Sequence, residues 1–346
     1  MRIIIDDKIP FIADPIRQIT DDVLFVPGSK FTPDIVKNAD ALIVRTRTKC
    51  NKQLLEGSKV QFIATATIGF DHIDTEYCRQ KGIVWTNAPG SNSASVAQYI
   101  ESCLILLEPE SNFPLKDKTI GIIGVGNVGS KIKTVAESLG LNVLLNDPPR
   151  AAAEGKAGFA EIDEILENSD IITFHVPLVK DGQYKTWHLG NENFFNSLKR
   201  KPVIINTSRG EVINTQAILA ALESHKIANA IIDVWENEPE IDRTLLDKAI
   251  ISTPHIAGYS ADGKANATRM SLEALCKHFN IDTHFSVIPP PPENNVITAN
   301  SMNEALIKIY DPRIDSRMLK EQPELFEWLR GNYPVRREKG AFGIKN

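Results

Sequence analysis

The sequence predicts an α/β protein made of two doubly wound parallel layers in tandem, followed by a small helical tail. Three observations point there. Short β-branched runs, RIIID, ALIVRT, FIATAT and IVWTNA, alternate with helical patterns such as NKQLLEG and TEYCRQKG as far as Ala88. A second series, KTIGIIG, NVLLND, DIITFHV, PVIINTS and NAIIDVW, repeats the alternation, with TQAILAALESHK among the intervening helices. A glycine-rich turn follows the first strand of that second series directly.

Between the two series, SASVAQYIESCLILL reads as a helix starting near Ser93 or Ser95, where a hydroxyl can cap free backbone N–H groups. ADGKANATRMSLEALCKHFN reads as a long helix able to return the chain to the first layer, which makes that domain discontinuous. The run Pro289 to Pro292 favours extended backbone and a semi-rigid spacer, and marks a boundary. Beyond it, SMNEALIKIY and SRMLKEQPELFEWLRGNY carry helical spacing with apolar Leu306, Ile309, Leu325 and Leu329. So short a segment makes a poor core alone, so it is expected to pack on the main body or on another subunit. The expected divisions are 1–95 with 260–285, then 96–259, then 286–346.

The 39 Lys and Arg against 44 Asp and Glu give a net charge of -5, which disfavours non-specific attraction to nucleic acid or anionic membrane. Any anionic ligand therefore needs locally placed cations. Cys50, Cys78, Cys103 and Cys276 are widely spaced and form no C-x-x-C pair, so neither a metal site nor a disulfide framework is expected. MRIIIDDKIP reaches acidic residues after one apolar triplet, and no later run approaches a membrane span. A cytoplasmic location is expected.

TIGIIGVGNVGSKI places Gly124, Gly126 and Gly129 in G-x-G-x-x-G spacing between a strand and a helix. The first glycine permits the tight turn, the second lets backbone approach a pyrophosphate, and the third allows close helix packing. The helix start offers N–H groups and a positive dipole end to phosphates. Such spacing alone occurs in many strand-to-helix junctions. Here NVLLND ends on Asp147, at the distance where an acidic side chain meets ribose hydroxyls. A carboxylate there repels a 2′-phosphate, so NAD is favoured over NADP, with nearby Arg150 as the opposing signal.

Three further segments follow apolar strand candidates: NTSRG with Arg209, DVWENEPE with Glu238, and TPHIAGY with His255. Each has a plain structural alternative: Arg209 as a helix cap, Glu238 as a solvated loop charge, His255 as a packed core side chain. Together they supply what hydride transfer from a 2-hydroxy acid requires. Arginine binds a carboxylate through a planar fork. A histidine, which titrates at about 6.5 when free, takes the hydroxyl proton, and a carboxylate orients and supports its ring. His175 in TFHVPL is expected to line the cofactor cleft structurally, whereas His72, His188, His225, His278 and His284 have no comparable partners in sequence.

GIIGVGNVG, NTSRG, DVWENEP and TPHIAGY resemble the motifs of the D-isomer-specific 2-hydroxyacid dehydrogenases. VRTRTK, TATIGFDHID, NAPGSNS, NDPPR, LVKDGQYKTWHL and FEWLRGNYPVRRE extend the resemblance over nearly the whole chain. They narrow it to a branch that oxidises 4-phospho-D-erythronate in vitamin B6 synthesis. The resemblance implies a Rossmann NAD-binding domain inserted in a discontinuous flavodoxin-like substrate domain, with a C-terminal module that makes a homodimer. It implies catalytic roles for Arg209, Glu238 and His255. It implies NAD contacts from Gly126, Asn127, Val128, Asp147, Thr207, Ser208, Arg209, Asp233 and Gly258, and substrate contacts from Thr46, Thr67 and Tyr259. Thr46 stands where relatives often carry serine, and the final segment is shorter than usual for the branch. The competing readings are a dehydrogenase for phosphoglycerate or glycerate, and an NAD-sensing interaction protein without turnover.

A phosphorylated substrate also suits VRTRTK, where Arg45, Arg47 and Lys49 share one face if the strand continues through them. The alternative is a solvated basic edge.

Overall fold

The computed structural model describes residues 1–345. The chain divides into two compact units, Met1–Asn92 with Ser260–Pro291, and Ser93–Tyr259 with the chain from Pro292 onward.

The first unit holds five parallel strands, β1 (Ile3–Asp6), β2 (Val23–Val26), β3 (Ala41–Val44), β4 (Phe62–Thr65) and β5 (Val84–Thr86), in the order β2-β1-β3-β4-β5. Strands β1, β3 and β4 are buried throughout, which explains why they read as unbroken apolar runs rather than alternating ones. Register aligns Ile4, Leu42 and Ile63 into one core row, while Ile5, Ile43 and Ala64 face the other side. On that second face they join Leu272 and Leu275 of the returning helix Ala261–Phe279. The Ser260 hydroxyl starts this helix by accepting from the Gly263 N–H at 2.8 Å, and Asn280 ends it in a left-handed conformation.

Strand β3 stops at Val44, so the extended pattern does not persist through VRTRTK. The chain turns there, with the Thr48 N–H donating to the Arg45 carbonyl at 3.1 Å. Alternation therefore does not order Arg45, Arg47 and Lys49 onto one strand face. Arg45 reaches back to the Lys8 carbonyl, while Arg47 and Lys49 are exposed.

The second unit holds β6 (Thr119–Ile123), β7 (Asn142–Asn146), β8 (Ile171–Phe174), β9 (Val203–Asn206), β10 (Asn229–Ile232) and β11 (Ile251–Ser252) in one parallel sheet ordered β11-β10-β9-β8-β6-β7. Strand order reverses between β6 and β8, the kind of switch point outside which ligands of open α/β sheets bind. The helix Ser93–Ser111 covers one face of this sheet, where Tyr99, Ile100 and Leu104 pack with Ile120, Ile122, Ile205 and Ile231. A small parallel pair, β12 (Val296–Thr298) with β13 (Gly343–Lys345), closes the tail.

The tail packs on its own unit. Leu319, Phe326 and Leu329 join the core that contains Phe194, Leu245 and Leu246, while Tyr310 joins that of Tyr99. The Lys339 ammonium meets the buried Glu101 carboxylate at 2.7 and 2.8 Å. This sharing of two cores explains why residues from Pro292 cluster with 93–259, although the sequence reading sets 286–346 apart. Among the described residues no helix is long and apolar enough to cross a membrane, and no group of three or more His, Cys, Asp or Glu could hold a metal ion. All four cysteines are free and buried.

Candidate active site

The glycine turn follows β6 directly. Gly124 has φ +90°, and a Cβ there would strike the His175 carbonyl, while one at Gly129 would strike the Gly124 carbonyl. Gly126 differs: a Cβ there would meet nothing, and with Asn127 it stands exposed at the start of the helix Asn127–Ser138, next to the half-buried Val128. Two glycines thus satisfy packing and the third leaves backbone open to an approaching phosphate. Asp147, at the end of β7, accepts from the Val125 N–H at 2.8 Å and is half-buried, so the carboxylate is fixed beside the turn. Arg150 folds onto the Val125 carbonyl and pairs with Glu154 at 2.7 Å, so its charge already has a partner. The turn, the helix start and Asp147 fit a dinucleotide with free ribose hydroxyls.

His175 follows β8. Its Nε2 lies 2.8 Å from the Thr173 hydroxyl and its Nδ1 lies 3.4 Å from that of Thr207, an expected cofactor contact. Burial pushes its pKa down to about 3, so the ring is a neutral structural linker at physiological pH. Above about pH 6.5 the ring is neutral in both folded and unfolded chains, and below it only the unfolded chain takes up the proton. Stability should therefore fall as pH drops from about 6.5 towards 3, by about 1 to 2 kcal/mol at pH 5. Urea unfolding of His175→Gln at pH 7 and pH 5 should show a smaller acid loss than the parent. Equal losses would refute this account of the ring.

Arg209, Glu238 and His255 stand just beyond the carboxyl ends of β9, β10 and β11, three neighbouring parallel strands. The loops are locked to each other. A Cβ on Gly210 would collide with the Trp235 carbonyl, so only glycine allows the NTSRG loop to lie against the DVWENEP loop. Trp235 is buried and donates its indole N–H to the Thr253 carbonyl at 3.0 Å. Asp233 accepts from the Ile256 and Ala257 N–H groups at 2.8 and 3.1 Å and from the Thr253 hydroxyl at 2.7 Å. Burial raises the pKa of this carboxyl against the pull of His255 and those donors. Asp233, a cofactor contact by resemblance, thus also shapes the histidine loop.

That loop holds His255 at φ +57°, an unusual conformation for a side chain of this size. Its Nδ1 meets both Glu238 oxygens, at 2.8 and 3.1 Å, and Glu238 also accepts from the Trp235 N–H at 3.0 Å. Burial opposes the Glu238 charge, but the His255 contact, the Trp235 N–H and Arg330 outweigh it and hold the carboxyl below its usual range. With Nδ1 occupied by the carboxylate, Nε2 is the nitrogen left to exchange a proton. Arg209 is exposed and donates to the Ser208 carbonyl at 2.7 Å, and among the described residues no carboxylate pairs with its guanidinium. Ser208 is buried and bonded to Asn206, and Gly258 and Tyr259 are half-buried just past His255.

Thr46 and Thr67 belong to the first unit, whereas Tyr259 belongs to the second. Thr46 is exposed in the turn after β3, and the Thr67 hydroxyl donates to the Gly69 carbonyl at 2.8 Å. Two histidines do have partners that their spacing conceals. His188 pairs with Glu236 at 2.7 Å, and Glu236 also accepts from the Thr215 N–H, which makes the pair a fastening for the start of the helix Thr215–Glu223. His72 bonds the Thr65 hydroxyl at 2.9 Å. Arg330, on the tail helix Phe326–Gly331, lies 3.9 Å from Glu238. It sits within FEWLRGNY, but no spacing links that segment to DVWENEP.

Residues 108–257 match the profile of the NAD binding domain of D-isomer specific 2-hydroxyacid dehydrogenase. An erythronate-4-phosphate dehydrogenase of Bacteroides fragilis is 61% identical over 344 residues, 99% of this chain and 99% of the relative. The chain belongs to the D-isomer-specific 2-hydroxyacid dehydrogenase family. Another relative of the same description, from Bacteroides thetaiotaomicron, is 60% identical over 99% of both chains. Among solved structures, an NAD+-bound 3-phosphoglycerate dehydrogenase from Entamoeba histolytica is similar, with TM-score 0.66 and 25% identity over 83% of this chain and 98% of that one. As a member of the family the protein is an NAD-dependent oxidoreductase, and its second unit is a Rossmann domain.

Proposed function

We propose that the protein oxidises the C2 hydroxyl of 4-phospho-D-erythronate to (R)-3-hydroxy-2-oxo-4-phosphooxybutanoate, a step of pyridoxine 5′-phosphate synthesis carried out in the cytoplasm. The reading is supported by the relatives named for that substrate at 60–61% identity over 99% of the chain. The geometric observation that carries it is the His255 to Glu238 contact at 2.8 Å, set one strand away from a guanidinium that has no carboxylate partner among the described residues. Bound NAD+ supplies the acceptor for the C2 hydride. Gly124 and Gly129 shape the phosphate turn, Gly126, Asn127 and Val128 present the helix start, and Asp147 takes the ribose hydroxyls. Thr207, Ser208, Arg209, Asp233 and Gly258 complete the cofactor contacts. Arg209 clamps the substrate carboxylate, His255 Nε2 receives the hydroxyl proton, and Glu238 stabilises the imidazolium so formed. Thr46, Thr67 and Tyr259 contact the substrate, and the basic turn at Arg45, Arg47 and Lys49 offers cations for its phosphate.

The protein is to be supplied with NAD+ and, separately, 4-phosphoerythronate, 3-phosphoglycerate and glycerate, with products identified by mass spectrometry. Fastest turnover of 4-phosphoerythronate is the expected result. Preference for another acid would overturn the substrate, and NAD binding with no turnover of any acid would favour the sensing alternative.

The same reading includes a homodimer. Met302, Ile314, Met318, Trp328 and Val335 are large apolar side chains exposed on the tail, with Ile314 and Met318 one turn apart on the helix Pro312–Glu321. A second copy of the tail would cover them. Sedimentation should give twice the chain mass, and a monomer at micromolar concentration would overturn the assignment.

A further inference from the structure

We propose that Arg330, supplied by the C-terminal tail, is a positioning residue for the proton-transfer pair, clamping the Glu238 carboxylate that orients His255. Its Nη1 lies 3.9 Å from Glu238 Oε2 and 2.8 Å from Glu327 Oε1. Among the described residues it is the one Lys or Arg within 4 Å of Glu238. The Glu327 contact is to an exposed carboxylate one helical turn away, of a kind that contributes little. It does not explain why the Arg330 side chain is three-quarters covered, with its Nε buried and without an acceptor. That desolvation is unfavourable. The group that benefits from it is Glu238.

The tail holds Arg330 in place by gripping the same catalytic loop elsewhere. Arg336 is buried and donates to the Ala257 carbonyl at 2.6 Å, two residues beyond His255. Its guanidinium lies 4.3 Å from the Tyr310 ring centre, and the Tyr310 and Tyr333 hydroxyls both donate to Asp315, at 2.9 and 2.8 Å. The Tyr333 ring meets the Tyr259 ring edge-on at 6.0 Å. Arg330 is therefore carried on a segment fastened to the histidine loop on both sides of Gly258.

Five groups bear on the pair: Arg330 and the Trp235 N–H on Glu238, buried Asp233 beside His255, and Tyr259 and Glu327 on Arg330. When His255 Nε2 gains the substrate proton, an unopposed Glu238 draws the Nδ1 proton across the 2.8 Å contact. Arg330 lowers the proton affinity of the carboxylate and keeps the proton on the imidazole. It also limits how strongly Glu238 favours the protonated ring before the reaction. Without Arg330 the protonated ring is favoured, so the acid limb of the oxidation profile moves to higher pH.

The inference rests on the assignment of His255 and Glu238 to proton transfer. The test compares the full-length parent with Arg330→Gln, Arg330→Lys and Glu327→Gln, using 4-phosphoerythronate and NAD+ from pH 5.5 to 9. Arg330→Gln should lower kcat about tenfold, leave KM for NAD+ within about twofold, and shift the acid limb upward by about half a unit. Arg330→Lys should recover most of the rate, and Glu327→Gln should match the parent. An unmoved acid limb in Arg330→Gln, or the same loss in Glu327→Gln, would overturn the positioning role. Loss of rate together with a lowered Tm and an unmoved limb would make Arg330 a folding contact alone, also against the proposal. An inactive parent would instead count against the substrate reading, which separates the two failures.

Discussion

Replacing His255 by alanine lowers turnover by two to four orders of magnitude, the usual contribution of a positioned acid/base group, and leaves NADH affinity within about twofold. The two effects separate because the glycine turn and Asp147 lie after β6 and β7, whereas the imidazole follows β11, and its removal leaves Asp233 and Gly258 in place. The loop itself should survive, since its shape is set by Asp233 holding the N–H groups of Ile256 and Ala257. Because residue 255 has φ +57°, His255→Asn is the better companion variant: asparagine tolerates this region more readily than alanine. Steady-state rates and fluorescence titration with NADH check both. Turnover in the asparagine variant within tenfold of the parent would remove His255 from the proton path.

Replacing Arg209 by lysine reduces kcat/KM for the 2-hydroxy acid by about ten to a hundredfold, the range for losing a charge-assisted hydrogen bond. Lysine keeps the charge but not the fork, so a carboxylate loses its two-point hold and its fixed orientation. Folding should be indifferent, because the Arg209 side chain is exposed and bonds its own neighbour's carbonyl. Rates over a range of substrate concentrations, with Tm measured alongside, test this. A lysine variant with the parent's dependence on substrate would show that the carboxylate is held elsewhere.

Much of this architecture could be read in the residues because burial and periodicity agreed. Strands β1, β3 and β4 are covered on both faces and so appear as IIID, ALIV and FIAT. The edge strand β2 escaped notice, since VLFV is half exposed, with Leu24 and Phe25 turned outward. The pairing of β12 with β13 was illegible for another reason: three-residue segments at opposite ends of the tail carry no periodic signal, and only tertiary contact joins them. The same division runs through the site. Arg209, Glu238 and His255 each follow an apolar strand, a position that marks them, whereas Arg330 lies in a tail helix whose pattern reports only its own core contacts. The basic segment misled because a strand pattern was extended past its end at Val44. His188 misled in the opposite direction, since its partner Glu236 comes from a distant loop.

The split first unit has a bearing on how the chain is made. One side of its sheet, lined by Ile5, Ile43 and Phe62, is closed by Leu272 and Leu275. A ribosome releases the strands long before it releases that helix, so for most of synthesis this greasy side has only the partial cover of Ile12 and Ile16. Nascent chains stalled before Ala261 expose it to solvent and to one another, which makes them substrates for chaperone holdases.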